Sequence, residues 1–139
     1  MSSPSSVSPG SSGVTRVIGL WGPVLVVMAV IFFASSLSDL STLPGDISDK
    51  TGHFVGYAAL GATVVRAIAG GKLSGVTGPV ALLSWGVSLA YGLSDEFHQR
   101  FVPGRTPAID DLAADAAGAA TAILVAWCAA VVGRRSRTV

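Results

Sequence analysis

Three short polar segments contain residues whose types and spacing suit ligand binding or acid–base chemistry. In the first segment, Asp49, His53 and Tyr57 follow one another at intervals of four residues, so they share one stripe if the segment is helical. Lys50 borders this stripe. The start of a membrane helix explains an acid and an interfacial tyrosine, but it does not explain a histidine one turn deeper. We therefore interpret the stripe as a candidate binding surface.

The second segment is a run of polar residues at the end of an apolar stretch, and it contains Asp95, Glu96, His98 and Gln99. If the helix continues through it, Asp95 and His98 are neighbours one turn apart, and so are Glu96 and Gln99. A solvated helix end is the alternative interpretation. Acids at the C-terminus of a helix oppose its macrodipole, however, and a structural terminus would favour Lys or Arg. The segment therefore favours a functional role.

The third segment follows directly after the second and has the composition of a turn followed by the start of a helix. Pro103 and Gly104 are typical of a turn. Thr106 and Pro107 have the residue types of an N-cap and a first helical position. The pattern therefore predicts that the last helix begins at Pro107.

Acids are concentrated at the start of this last helix. Asp110 and Asp111 lie near its positive end, and Asp115 lies one turn deeper on the face of Asp111. An acid at that depth in a membrane is costly unless it is paired or meets water, so Asp115 is a candidate site residue. Arg105 is the natural nearby cation. An interhelical ion pair that only stabilises the bundle is the alternative.

No nucleophile signature or metal-binding spacing occurs in these segments, and the sequence predicts neither a metal nor another cofactor. The single cysteine, Cys128, excludes an internal disulfide and a cysteine-built zinc site. A net charge of +1 predicts no nucleic-acid partner.

The elements that position these segments are strongly apolar. Of the 139 residues, 50% are hydrophobic and 12% are charged, and the mean hydropathy is +0.64. A soluble domain contains roughly 25% charged residues, and a disordered chain needs low hydrophobicity. The composition therefore favours a small membrane protein over either class.

Four apolar stretches approach the length of a bilayer core, which takes about 20 helical residues. They are residues 17–37, 53–70, 73–94 and 111–133. They predict an all-α fold, a four-helix transmembrane bundle formed by residues 16–135. Residues 1–15 are mostly Ser, Gly and Pro and are predicted to form a disordered tail. A cleaved signal peptide is the rival interpretation of the first stretch, but the stretch exceeds the roughly 7–15 residues of a signal core.

The distribution of Lys and Arg predicts the orientation. Six basic residues share one side of the membrane in a four-span topology: Arg16, Arg66, Lys72, Arg134, Arg135 and Arg137. The other side has three: Lys50, Arg100 and Arg105. The positive-inside rule places both termini in the cytoplasm. All eight carboxylates and both histidines then lie on the outer half, so the site of this multi-pass cell-membrane protein is expected to face outside the cytoplasm.

The three polar segments, in this order, resemble the VanZ-like family of small bacterial integral membrane proteins. The matching stretches are residues 48–57, 94–99, 101–107 and 110–111. One position departs from the pattern, since the family often has Asn where this chain has Asp115. The resemblance implies a four-helix integral membrane protein. It also implies a role similar to that of the founding member, which is linked to low-level resistance to the glycopeptide antibiotic teicoplanin.

We expect the outer ends of the last three helices to form one polar pocket at the membrane surface. Lys50 and Arg105 can bind a phosphate or carboxylate, and the acids can accept hydrogen bonds from amines and sugar hydroxyls. Such a pocket suits a glycopeptide antibiotic, a lipid-linked cell-wall precursor or a lipid head group. The candidate binding residues are Asp49, Lys50, His53, Tyr57, Asp95, Glu96, His98, Gln99, Arg105, Asp110 and Asp111.

Two other functions stay open. A membrane-embedded enzyme that modifies a lipid or precursor head group could use His53 or His98 beside a carboxylate as a general base, or hold a divalent cation with Asp, Glu and His. A transporter would need ionisable residues near the bilayer midplane and an internal repeat. The polar residues cluster at one end instead, and no clear repeat is present.

Overall fold

The computed structural model describes residues 11–37 and 49–136, and the fold is helical throughout this part of the chain. The four α-helices, in chain order, are α1 (Ser11–Ser35), α2 (Asp49–Ile68), α3 (Gly78–Gln99) and α4 (Ile109–Arg135). A short 3₁₀ helix, Leu73–Gly75, lies between α2 and α3. The prediction of an all-α fold with four helices is confirmed.

Helix α1 begins earlier than the sequence predicts. Residues 11–15, which were expected to belong to a disordered tail, are helical, because α1 continues without a break from Ser11 into the apolar stretch that follows. Residues 1–10 of that predicted tail lie outside the described residues. The second stretch fits its prediction more closely, since α2 begins at Asp49 and contains the whole stripe of the first polar segment.

The predicted start of the last helix at Pro107 is wrong, because α4 begins at Ile109 with Ala108 as its N-cap residue. The Ala108 backbone is extended, with φ −129° and ψ 132°. Its N–H donates to Oε2 of Glu96 at 3.1 Å. The Glu96 side chain of α3 therefore accepts a hydrogen bond from the backbone just before α4, and this contact positions the start of α4. The turn itself is confirmed, since Gly104 has a φ of 82°, which favours glycine.

Two helices of the described residues, 13–35 and 109–135, are long and apolar enough to cross a membrane. Helices α2 and α3 have 20 and 22 residues but contain the first two polar segments, which lowers their mean hydropathy. The apolar, helical character of the protein is confirmed, and the number of spans stays a prediction.

The core lies along α2, which packs most extensively against α4. Leu60 and Val64 of α2 and Ile123 of α4 are among its buried side chains. Two glycines permit the close approach: a Cβ at Gly61 would lie 2.8 Å from the carbonyl oxygen of Ala119, and a Cβ at Gly118 would overlap the carbonyl oxygen of Phe54. The backbones of α2 and α4 are therefore in direct contact, as small residues allow in membrane helices.

The outer surface is apolar around the bundle. Large hydrophobic side chains are exposed on every α-helix. A soluble monomeric protein rarely exposes so much apolar surface. Examples are Val30 and Phe33 of α1, Val55 of α2, Leu82 and Leu83 of α3, and Val125 and Val132 of α4. Several polar side chains lie inside instead, and Ser84 and Ser88 of α3 are fully buried. This distribution is typical of a protein surrounded by lipid.

Arg66 has a specific partner within this apolar surface. Pro23 lies inside α1 and has no N–H, so the carbonyl of Gly19, four residues earlier, loses its helical donor. Nη1 of Arg66 donates to that oxygen at 3.1 Å. The charged residue of α2 thus replaces the hydrogen bond that the proline removes.

Basic side chains gather at the end of the bundle opposite the three polar segments. Nη1 of Arg134 donates to the carbonyl oxygens of Ser74 and Val76 at 3.2 Å each, which attaches the end of α4 to the α2–α3 connection. The guanidinium of Arg16 lies beside Gly70, in the same connection. The described charges therefore separate into a basic end and an acidic end.

Candidate functional site

The three polar segments meet at the acidic end of the bundle, as the sequence predicts. Side chains of α2, α3, α4 and the α3–α4 loop form a group that we call the central cluster. Its members are Asp49, His53, Tyr57, Glu96, Arg105, Asp111 and Asp115.

His53 lies in the middle of the central cluster. Its Nδ1 lies 2.8 Å from Oδ1 of Asp115, and its Nε2 lies 4.0 Å from Oδ1 of Asp49. Its ring stacks on that of Tyr57, with centroids 6.4 Å apart and planes 6° from parallel. The i,i+4 stripe predicted on α2 is therefore present. The imidazole connects the buried carboxylate of Asp115 to the partly exposed one of Asp49.

Arg105 joins the α3–α4 loop to two other elements. Its Nη1 donates to both carboxylate oxygens of Asp49, at 2.9 and 2.8 Å, and its Nε donates to the carbonyl oxygen of Leu37 at 3.1 Å. The sequence predicts Arg105 as the cation near Asp115. The structure pairs it with the acid at the start of α2 instead, while Asp115 pairs with His53.

Asp115 is the most deeply buried member of the cluster. It is 0% exposed, whereas Asp111, one turn earlier on α4, is 6% exposed. Ligand atoms of His53, Glu96 and Asp115 lie within 4.8 Å of one another, and the same holds for Asp49, His53 and Asp111. The cluster therefore concentrates carboxylates around one imidazole.

Buried oxygen atoms without partners are concentrated at this end of the bundle. Four side-chain oxygens have no hydrogen-bond partner among the described residues: Tyr57 OH, Asp95 Oδ1, Glu96 Oε1 and Asp115 Oδ2. Buried polar atoms in folded proteins are nearly always paired. Three of the four belong to the central cluster, which is therefore able to accept hydrogen bonds or a cation from a further group.

Asp95 and Gln99 lie at the contact between α1 and α3. Oδ2 of Asp95 accepts a hydrogen bond from Oγ of Ser35 at 2.8 Å and a longer one from Nε2 of Gln99 at 3.4 Å. Both α3 side chains are buried. These two predicted site residues therefore position the end of α1, and one oxygen of Asp95 stays unpartnered.

His98 makes a second contact with α1. Its Nε2 lies 3.1 Å from Oγ of Ser36, and its ring packs on Phe32 with centroids 4.4 Å apart. The sequence patterns described above assign no role to Ser35 or Ser36. Two adjacent hydroxyls at the end of an apolar helix are the signal that could have indicated an interhelical contact.

Lys50 and Asp110 form a separate pair at the rim of the bundle. Nζ of Lys50 lies 2.9 Å from Oδ2 of Asp110, and the two side chains are 61% and 68% exposed. The structure therefore places these two predicted site residues outside the central cluster.

A family model described as VanZ/LLP1 matches residues 20–131. The chain belongs to the VanZ/LLP1 family. The matched region contains every member of the central cluster. No curated protein and no solved structure matches this VanZ/LLP1 protein.

Two acids in the first turns of α2 and α4 offer a matched test of the packing at this end of the VanZ/LLP1 protein. Asp49→Asn is expected to lower the free energy of unfolding by about 1–2 kcal/mol, because the nearly buried Arg105 loses a charged acceptor. Asp110→Asn removes only the exposed contact with Lys50 and should leave the unfolding temperature unchanged within error. Thermal unfolding in mild detergent measures both, and equal shifts would contradict the assignment of Asp49 to the central cluster.

Proposed function

We propose that this VanZ/LLP1 protein crosses the membrane four times, with both termini in the cytoplasm and the central cluster facing outward. The exposed apolar side chains on all four helices support four spans. Helices α2 and α3, with 20 and 22 residues, rise about 30 and 33 Å, which matches a bilayer core. The basic end of the bundle supports the orientation through the positive-inside rule.

The central cluster forms an outward-facing pocket that binds the head group of a membrane lipid or of a lipid-linked cell-wall precursor. The observation that supports this function is the group of unpartnered buried oxygens at one end of an apolar bundle. Carboxylate and hydroxyl oxygens accept hydrogen bonds from amines and sugar hydroxyls. Arg105 in the same cluster has the planar guanidinium that suits a phosphate.

The apolar outer surface suits the rest of such a ligand. Exposed side chains of α3, such as Leu93, lie at the same end as the cluster and can contact acyl chains. Teicoplanin has a lipid tail, which favours recognition at a bilayer surface, so the same pocket suits this antibiotic. A role in glycopeptide resistance would follow from binding either the antibiotic or its cell-wall target.

Native mass spectrometry of the detergent-extracted protein tests head-group binding. We expect the wild-type protein to retain one lipid or lipid-linked precursor. In Glu96→Gln and Arg105→Gln the lipid-bound fraction should fall at least tenfold, because each substitution removes a charged group of the cluster. Arg100→Gln is the matched control, since Arg100 is exposed and packs over the Phe97 ring. Adding teicoplanin instead of lipid separates the two kinds of ligand.

Retention of the same lipid by wild type, Glu96→Gln and Arg105→Gln would contradict this function. Loss from Arg100→Gln to the same extent would do so as well. Equal yields of monodisperse protein establish that the variants still insert and fold.

A head-group-modifying enzyme is the second candidate function, and the contact between His53 and Asp115 supports it. An imidazole hydrogen-bonded to a carboxylate at 2.8 Å has the arrangement of a general base and the group that orients it. Under this alternative, His53→Gln keeps the bound lipid but loses a product that mass spectrometry detects in vesicles containing the wild-type protein. Loss of the lipid itself supports the binding function.

A further inference from the structure

We propose that His53, Glu96 and Asp115 bind one divalent transition-metal ion. Each residue offers one ligand atom, and these atoms lie within 4.8 Å of one another. The three residues come from α2, α3 and α4, so the ion connects the three helices at their acidic end. The site shares the unpartnered oxygens of Glu96 and Asp115 with the proposed head-group pocket, but metal binding is measured without any lipid ligand.

The two acids of this set have carboxylate oxygens available for a cation. Asp115 is fully buried, and while its Oδ1 contacts His53, its Oδ2 has no partner among the described residues. Oε2 of Glu96 accepts the Ala108 N–H, and its buried Oε1 has no such partner either. An uncompensated buried charge is costly. Two buried acids with unpartnered oxygens beside one imidazole therefore favour a bound cation, which would compensate their negative charge.

The neighbouring set of Asp49, His53 and Asp111 is less suitable. Both oxygens of Asp49 already accept hydrogen bonds from Arg105. The guanidinium is a fixed positive charge beside that set, and it repels a second cation. The deeper set has no Lys or Arg among its described hydrogen-bond partners.

Asp49 has a supporting role in this arrangement. When Nδ1 of His53 binds the ion, its Nε2 has the proton, and Oδ1 of Asp49 lies 4.0 Å from Nε2, which is too long for a hydrogen bond but close enough for the negative charge to favour that proton. Histidine ligands commonly direct their second ring N–H to a carboxylate, which fixes the tautomer and the ring orientation. Arg105 in turn holds Asp49 in place.

The donor atoms indicate the class of ion. One imidazole nitrogen and two carboxylate oxygens suit Mn²⁺, Fe²⁺ or Zn²⁺, whereas Ca²⁺ takes six to eight oxygen ligands. Three protein ligands also leave coordination positions for water or a substrate oxygen. The spacing of these residues along the chain has no metal signature, so only the packing of the helices shows the set.

Metal titration of the purified full-length protein tests the site. After treatment with EDTA and its removal, Mn²⁺ binding is followed by electron paramagnetic resonance and Zn²⁺ binding by calorimetry, with Ca²⁺ for comparison. We expect one Mn²⁺ or Zn²⁺ per chain, bound at least tenfold more tightly than Ca²⁺. Glu96→Gln and Asp115→Asn should weaken binding at least about tenfold. Asp110→Asn, an exposed acid outside the set, should change it less than about twofold.

Stability supplies a second readout, since an ion that binds the folded protein raises its unfolding temperature. If Asp115→Asn is not monodisperse, Glu96→Gln and His53→Gln decide the result. The proposal is overturned if wild-type protein binds neither Mn²⁺ nor Zn²⁺ at stoichiometric amounts. It is also overturned if Ca²⁺ binds equally well, or if Asp110→Asn weakens binding as much as Glu96→Gln.

Discussion

His53→Ala is expected to lower the free energy of unfolding of this VanZ/LLP1 protein by about 3–5 kcal/mol. Asp115 is 0% exposed, and Nδ1 of His53 is the partner of its Oδ1 at 2.8 Å. Without the imidazole, neither oxygen of this buried acid has a hydrogen-bond partner among the described residues. Thermal or denaturant unfolding in mild detergent, with EDTA present to exclude metal ions, measures the loss.

Replacing both partners distinguishes the pair from a general packing defect. The double variant His53→Leu with Asp115→Leu should recover most of the stability, because apolar side chains of similar size can replace a buried ionic pair. His98→Ala is the control, since it removes a half-buried histidine at the same end, and about 1 kcal/mol is expected for its contact with Ser36. A His53→Ala protein as stable as the His98→Ala control would contradict the role assigned to the pair.

Gly118→Val is expected to lower the free energy of unfolding by about 3 kcal/mol or more, since overpacking at a helix contact displaces backbone. A Cβ at this position would overlap the carbonyl oxygen of Phe54 and lie 3.1 Å from the backbone nitrogen of Ala58. Neither atom can move without shifting α2. Circular dichroism during heating, together with size-exclusion chromatography, follows the effect.

Gly133→Val provides the control on the same helix. Apart from its chain neighbours and the nearby backbone of α4, no atom lies within 4 Å of a Cβ at Gly133, so the added side chain occupies open space. The difference between the two variants therefore isolates the contact between α2 and α4 from the general effect of valine in a helix. Equal losses at both positions would show that this contact is not as close as described.

Local sequence patterns were sufficient to predict the helices and the stripe of the first polar segment. Apolar stretches locate the four helices to within about six residues at their N-terminal ends, since hydrophobic side chains determine which segments pack. The four-residue spacing of Asp49, His53 and Tyr57 predicts a shared helix face, and the stacked rings of the last two confirm it. Both inferences depend on neighbours in the chain.

The pairing within the central cluster could not be predicted in this way. Arg105 is ten residues from Asp115, yet it pairs with Asp49, which is 56 residues away in the chain. His53 and Asp115, which do meet, are separated by 62 residues. These contacts depend on the crossing of α2 and α4, and that crossing depends on the backbone contact at Gly118. Spacing alone does not indicate which residues of two helices oppose each other.

The start of α4 illustrates a second limit. Thr106 and Pro107 have the residue types of a helix start, but Glu96 accepts the Ala108 N–H and the helix begins two residues later. A tertiary hydrogen bond has overridden a local preference, and the acid that forms it belongs to the central cluster.

The hydrogen bond between Arg66 and the Gly19 carbonyl makes Pro23 and Arg66 interdependent across two helices. A chimera that keeps Pro23 but loses Arg66 would leave the Gly19 carbonyl without this donor. A chimera that keeps Arg66 beside a regular first helix would leave a guanidinium without its acceptor. We therefore expect that the first helix can be exchanged for another apolar helix only if the proline and the arginine are transferred together.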